Sequence, residues 1–369
     1  MNTFKYADEK IKSSDILIAI PAVVIGIGIL PFPRTLAKEM TTSDGWIPIL
    51  IAGIIVIGIV WGLAKLASQF PNQSFMNYAS SLVSKPVAKI LTVLYFIFGI
   101  TLTSLELRSV ADVSHQYLFD RTPMEVIILT FLFVVVYAVS GSRAGLFRLN
   151  ALFLPFIFCV TAILVLLSIG YMEVKNLLPV FKTDMKGYLK GISDSGLSFT
   201  GVSLLLFYIA FVKNPKKAPK MAVLGMSSVV AFYIVVYITC IAVFGDRATE
   251  VMRFPIIEVA KTIEVPGGFF ERVESIFFVI WLMSLFTTTA IAYDIAVLTM
   301  NAVFPKVKKV KIVFILSPIV FFIATIPDSF MEIVNFAGWI SYYSWGLNLL
   351  TLSLLWIAYW IKGGKQHET

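Results

Sequence analysis

Ten stretches of this chain, about 14–36, 46–68, 86–112, 124–141, 148–171, 192–212, 219–244, 268–302, 310–327 and 331–361, are apolar enough to lie in a bilayer. A membrane-crossing helix takes roughly 20 such residues, so ten spans leave little of the 369 residues for a soluble domain. With 58% hydrophobic and only 14% charged residues, the chain has too little polar surface to fold alone in water. The fold class is therefore an all-α integral membrane protein.

Placing the N-terminus inside puts 18 Lys and Arg in the tails and even-numbered loops, against 12 in the odd-numbered loops. Both tails, 1–13 and 362–369, are thus expected in the cytoplasm. Lys5, Lys10 and Lys12 precede the first span, and no small-residue cleavage site follows it, so that span reads as a retained helix. The net charge of +8 is spread as short clusters between spans, such as KNPKK at 213–217 and KVKKVK at 306–311, which suits an anionic membrane surface and not nucleic acid. Cys159 and Cys240 lie inside apolar spans, and His115 and His367 stand alone. That pattern supports no disulfide framework, metal site, cofactor or catalytic triad, and hence no enzyme.

Ten spans divide into two halves of five, about 14–171 and 192–361, and the first span of each half is a poor helix. Span 1 contains AIPAVVIGIGILPFPRT, in which Gly26 and Gly28 ease departure from helical geometry, Pro31 suits the first turn of a new helix and Pro21 kinks the segment below. Two half-helices are expected, with free N–H groups near Ile27 to Ile29 suited to a carboxylate. Span 6 has Gly196 and Gly201 among Ser198, Thr200 and other small residues, and faces the first break. A small anionic or zwitterionic ligand would fit between them. Each glycine also has a plainer use, as a kink or packing point in an unbroken helix. GIGILP lacks the third glycine of a dinucleotide-binding loop. Elsewhere, Ile256, Val259, Ala260 and Ile263 recur at helical spacing in the long seventh loop, which predicts a short interfacial helix. Span 8, from about Phe269 to Met300, exceeds one bilayer thickness, and span 3 is similarly long.

Ionisable residues inside spans are few. Glu106 and Arg108 in span 3 and Glu274 in span 8 are close enough to a span end to reach the interface, and that use is favoured. Asp294, deep in span 8 and a turn beyond Thr287, Thr288 and Thr289, is suited either to a cation or to a basic partner on a neighbouring helix. Among many aromatics, Phe98 and Trp281 are the candidates for pocket walls. The run FAGWISYYSW at 336–345 fits helix packing better than a cavity wall.

Three segments, IGIGILPFPR in span 1, GSRAGLFRLNALFLPFI at 141–157 and FPIIEVAKTIEVPGGFFERVESIFFVIWLMSLFTT at 254–288, carry a family resemblance. They resemble the spore germination permeases, the B subunits of GerA-type nutrient germinant receptors of endospore-forming bacteria. The family is similar to the amino acid–polyamine–organocation superfamily, which implies a LeuT-like fold of ten helices in two inverted five-helix repeats, with helices 1 and 6 discontinuous. The resemblance further implies a nutrient germinant, often an amino acid, and A and C subunits as partners in the inner membrane of the spore. Carried over by position, the ligand would sit among Gly26, Ile27 and Gly28 of span 1 and Thr200, Gly201 and Val202 of span 6, next to the candidate Phe199, with walls from spans 3 and 8, which hold Phe98 and Trp281. Span 6 here lacks the acidic residue that the family often has nearby.

Two functions follow. One is a ligand-sensing receptor subunit, whose conformational equilibrium shifts on germinant binding. The other is an ion-coupled amino-acid transporter rocking about the same site. Residues 149–170, in span 5, carry no charge, unlike many proton-coupled members of the superfamily, and that favours sensing.

Overall fold

The computed structural model describes residues 10–26, 28–40, 42–263 and 273–362. Its described elements are helical throughout. The first span is broken into α1 (Ser13–Val24) and α2 (Phe32–Glu39). Pro21 is accommodated within α1, whereas Pro31 caps α2 and Pro33 sits in its first turn. The new helix thus starts at Phe32, beyond the Ile27–Ile29 expected from the glycines, because two prolines set its start. Then come α3 (Trp46–Ser68), the short α4 (Phe75–Leu82), α5 (Lys85–Tyr117), α6 (Met124–Ser140) and α7 (Arg143–Ser168).

The second half opens with another interrupted helix. Asp184 caps α8 (Met185–Ser198) by accepting from the Gly187 N–H at 2.8 Å. The chain leaves helical geometry over 199–203, with Gly201 at φ +111, and re-enters it in α9 (Leu204–Tyr208). It continues through α10 (Ala218–Val251), which is interrupted at Gly245, α11 (Pro255–Thr262), α12 (Val273–Val303), α13 (Lys309–Ala324) and α14 (Phe330–Ile361).

Among the described residues, six helical segments are individually long and apolar enough to cross a membrane, and they correspond to α3, α5, α7, α10, α12 and α14. The other four expected spans are built from shorter pieces: α1 with α2, α6, α8 with α9, and α13. The two interrupted spans stand first in each set of five.

The 33 residues of α5 reach about 50 Å at a helical rise of 1.5 Å per residue. This helix runs against α12, α14, α6 and α13. The α5–α12 crossing is close because Gly99 has no side chain: a Cβ there would lie 2.8 Å from the Ala296 backbone nitrogen. The predicted helix at 256–263 is present as α11, but Ile256, Val259 and Ala260 are buried against α12, α10 and α7 and do not rest on lipid. Spare apolar surface on the bundle end, which loop periodicity does not reveal, takes up that face.

On the α11 side, Asp44 ties the 40–45 loop to the segment before α8. Its carboxylate accepts from the N–H groups of Phe181 at 2.7 Å and Lys182 at 3.1 Å, from the Tyr188 hydroxyl at 3.0 Å and from the Thr42 hydroxyl. Burial alone would raise its pKa, but these hydrogen bonds outweigh burial and hold the carboxyl below its usual range. At the opposite end, Ile11 pairs with the chain just beyond α9, donating to the Phe211 carbonyl at 3.0 Å and accepting from the Lys213 N–H at 2.9 Å.

Candidate functional site

The two breaks meet in the middle of the molecule. Tyr233, on α10, places one hydroxyl between the last carbonyls of the two half-helices, 2.9 Å from the Val24 oxygen and 3.3 Å from that of Ser198. One hydroxyl hydrogen serves both acceptors, so Tyr233 is a clasp holding the ends of α1 and α8 together. Its ring is stacked on Phe199, with centroids 5.3 Å apart, and tilted against Phe32 at 4.8 Å. Gly28 lies against the clasp: a Cβ there would be 3.1 Å from both the Ser198 oxygen and the Tyr233 hydroxyl.

Other carbonyls near the breaks are also taken by protein donors. Thr288 of α12 donates to Ala22 at 2.9 Å, the Trp281 indole to Gly26 at 3.3 Å, and the Trp345 indole of α14 to Gly196 at 2.8 Å. Thr200 donates to Leu197, and its hydroxyl lies 3.2 Å from that of Ser341. Loss of helical pairing is thus compensated by side chains, as burial requires.

A cavity of about 380 Å³ extends from this junction to the α11 face. That volume lies within the range of small-molecule sites. Its inner end is formed by Val24, Gly28, Ser198, Thr200 and Thr288. One wall is a stripe of α5 at helical spacing, Leu102, Leu105, Glu106, Ser109, Asp112 and Val113, and the facing wall is α14 from Phe330 to Ser341. The α14 stretch for which packing was favoured over a cavity wall therefore borders the void through Ala337, Ile340 and Ser341. Glu106 is 2% exposed and Arg108 5%, so neither reaches the interface as expected.

The mouth is built from ion pairs and rings. Arg253 binds both carboxylate oxygens of Asp112, at 2.7 and 2.6 Å, and lies 4.0 Å from the centroid of the Phe330 ring. Arg34 lies over the same ring at 5.4 Å and donates to the Glu250 carbonyl at 3.2 Å. α2, α5, α10 and α14 are joined there around Phe330.

Of the residues carried over from the family, Gly28 and Thr200 line the cavity. Ile27 falls outside the described residues. Gly26 packs against Thr288, Gly201 against Val23, and Phe98, Phe199 and Val202 are buried in the core behind the wall. Trp281 lies beside a separate small void with Ile25, Ile29 and Phe232, where its indole supports the first break. Of Gly28 and Gly201, only Gly28 borders the cavity. Any side chain at Gly201 would instead be strained by its positive φ. The side chain of Glu274 falls outside the described residues.

Asp294 does not line the cavity. It is fully buried nearer the opposite face, 2.9 Å from the Arg143 Nε, 2.8 Å from the Tyr208 hydroxyl and 3.5 Å from the Lys309 Nζ. The cluster knits α7, α9, α12 and α13 together. Arg143 also lies 5.4 Å from the centroid of the Phe211 ring.

Long apolar helices and two paired interruptions around a central void define a multi-pass membrane protein with a transporter-type fold. Solved structures with this fold include MhsT in complex with L-phenylalanine, at a TM-score of 0.67 and 14% identity over 95% of this chain and 89% of that one. They also include MHP1, a nucleobase-cation-symport-1 family transporter with bromovinylhydantoin bound, at 0.69 and 13% over 94% and 78%.

The chain belongs to the spore germination protein family, whose model matches residues 10–333. Its relatives include spore germination protein GerLB of Bacillus cereus, 39% identical over 99% of both chains. Spore germination protein YndE of Bacillus subtilis (strain 168) is 28% identical over 97% of this chain and 98% of its own, and spore germination protein A2 of that strain is 27% identical over 91% and 92%.

Proposed function

We propose that this chain is the B subunit of a nutrient germinant receptor in the inner membrane of the spore, with both termini cytoplasmic and A and C subunits as partners. It binds a small germinant, an amino acid by preference, in the cavity between its broken helices, and the bound state biases a conformational equilibrium that the partners read. One observation carries this proposal: a void of about 380 Å³ with a polar inner end lies against a clasp joining both interruptions, so an occupant changes how the two half-helices sit. The two halves, 14–171 and 192–361, are proposed as inverted repeats that move about that point. No catalytic role is proposed.

Spores lacking the gene, complemented with wild type or with Ala337→Phe, test it. Phenylalanine at this cavity-lining helical position takes up part of the void. The expected result is loss of the nutrient response at normal protein level. The fold's likeness to transporters favours a second function, ion-coupled amino-acid uptake. Concentrative uptake into liposomes holding this chain alone, with germination intact in the deletion strain, would select that function and discard the first.

A further inference from the structure

We propose that Glu106 anchors a cationic group of the ligand, so that the cavity selects a small primary amine, an amino acid being the class that fits, over neutral or anionic nutrients of the same size. The proposal rests on the cavity being the germinant site.

Glu106 lines the cavity, is almost fully buried, and its Oε2 has no hydrogen-bond partner among the described residues. A buried, unpaired carboxylate oxygen is costly, and such groups in folded proteins ordinarily await a partner. Ser109, three residues on and therefore on the same helical face, also lines the cavity with an unpartnered hydroxyl. Together they offer a carboxylate and a hydroxyl acceptor to an ammonium, which has three donors.

Of the protein's own cations near the cavity, Lys38 is exposed at the mouth and the two nearest arginines are engaged elsewhere. Arg253 is bound to both oxygens of Asp112, and Arg34 to the Glu250 carbonyl and the Phe330 ring. Arg108 is two residues from Glu106 and so faces away from it along α5. The backbone carbonyls of Ala22, Val24, Gly26, Gly196 and Ser198 already accept from Thr288, Tyr233, Trp281, Trp345 and Tyr233. Each has only a second lone pair left to offer, whereas Glu106 Oε2 has no partner among the described residues. An ion pair with an ammonium discriminates in a largely apolar pocket because a neutral ligand gives the buried carboxyl no counter-charge and leaves it to take up a proton instead.

The test uses the full chain, purified in lipid nanodiscs, and equilibrium binding of the twenty radiolabelled L-amino acids. The strongest binder is then compared with its 2-hydroxy-acid analogue, which keeps the size and the carboxylate and lacks the ammonium. The wild type is expected to bind the amino acid at least tenfold more tightly than the hydroxy acid. Glu106→Gln should lose at least tenfold for the amino acid and bring the ratio near one. Equal binding of both compounds by the wild type would overturn the proposal without any variant. So would unchanged affinity in Glu106→Gln. If Ala337→Phe abolishes binding while Glu106→Gln does not, the cavity stands as the site and only the amine anchor fails. If neither variant changes binding, or no amino acid binds at all, the site and the anchor fail together.

Discussion

At the scale of single residues, Tyr233 does most to explain how two interrupted helices persist in an apolar interior. Tyr233→Phe leaves the ring stack intact and removes the one donor shared by the Val24 and Ser198 carbonyls. An unsatisfied buried acceptor costs roughly 1–3 kcal/mol. The expected outcome is a lower thermal midpoint in detergent together with a shifted nutrient dose-response, and an unchanged midpoint would show that the clasp is not holding the breaks. Gly28 and Thr200 were legible in the sequence because glycine and small hydroxyl residues are conspicuous in an apolar run, and both border the cavity. Glu106 was visible but favoured for the interface, since position along a span does not show which way a side chain faces. The stripe Glu106, Ser109, Asp112 at steps of three was the available signal. Tyr233 carried no local signal, because its two acceptors are 209 and 35 residues away in sequence.

At the scale of elements, the interruptions themselves were readable from glycine and proline, though the start of α2 is set by Pro31 and Pro33 and lies a turn later than the glycines suggested. The α5–α12 crossing was not readable, since nothing local to Gly99 names Ala296 as its neighbour. Gly99→Leu drives a side chain into the Ala296 backbone and forces the helices apart. Overpacking at such a contact typically costs 1–3 kcal/mol or more, so the variant should be recovered at much lower yield, while Gly58→Leu, where an added Cβ meets open space, should not. Asp44 makes a prediction with a sign. Its pKa is depressed in the folded protein, so the loop strap's contribution is complete above the unfolded value of about 3.9 and is lost as the pH falls through the lower folded value. Asp44→Asn should therefore lower the thermal midpoint at pH 7, and its deficit relative to wild type should shrink only in acid below about pH 4. A deficit that instead shrinks between pH 6 and 8 would contradict the assignment.

At the scale of the whole molecule, two polar centres lie on either side of the clasp: the cavity with Glu106 toward α11, and the Asp294 cluster toward the opposite face. Removing one partner of a buried ion pair typically costs 3–5 kcal/mol, because the other charge is left behind. Arg143→Met leaves Asp294 the more distant Lys309 Nζ, at 3.5 Å, as its counter-charge and is thus expected to destabilise the chain, with Asp294→Asn added to Arg143→Met recovering much of the loss, as read by thermal unfolding of the purified proteins. The fold class was legible almost in full, because bilayer thickness and hydropathy fix where helices cross. How the spans pack around a void was not, because that depends on contacts between residues hundreds of positions apart. The central claim is that the void between the broken helices is where the nutrient acts. The most direct measurement is the nutrient dose-response of spores carrying Ala337→Phe, with the protein level matched to wild type by immunoblot. A response abolished or shifted at least tenfold is predicted, and a curve that superimposes on wild type would contradict the account.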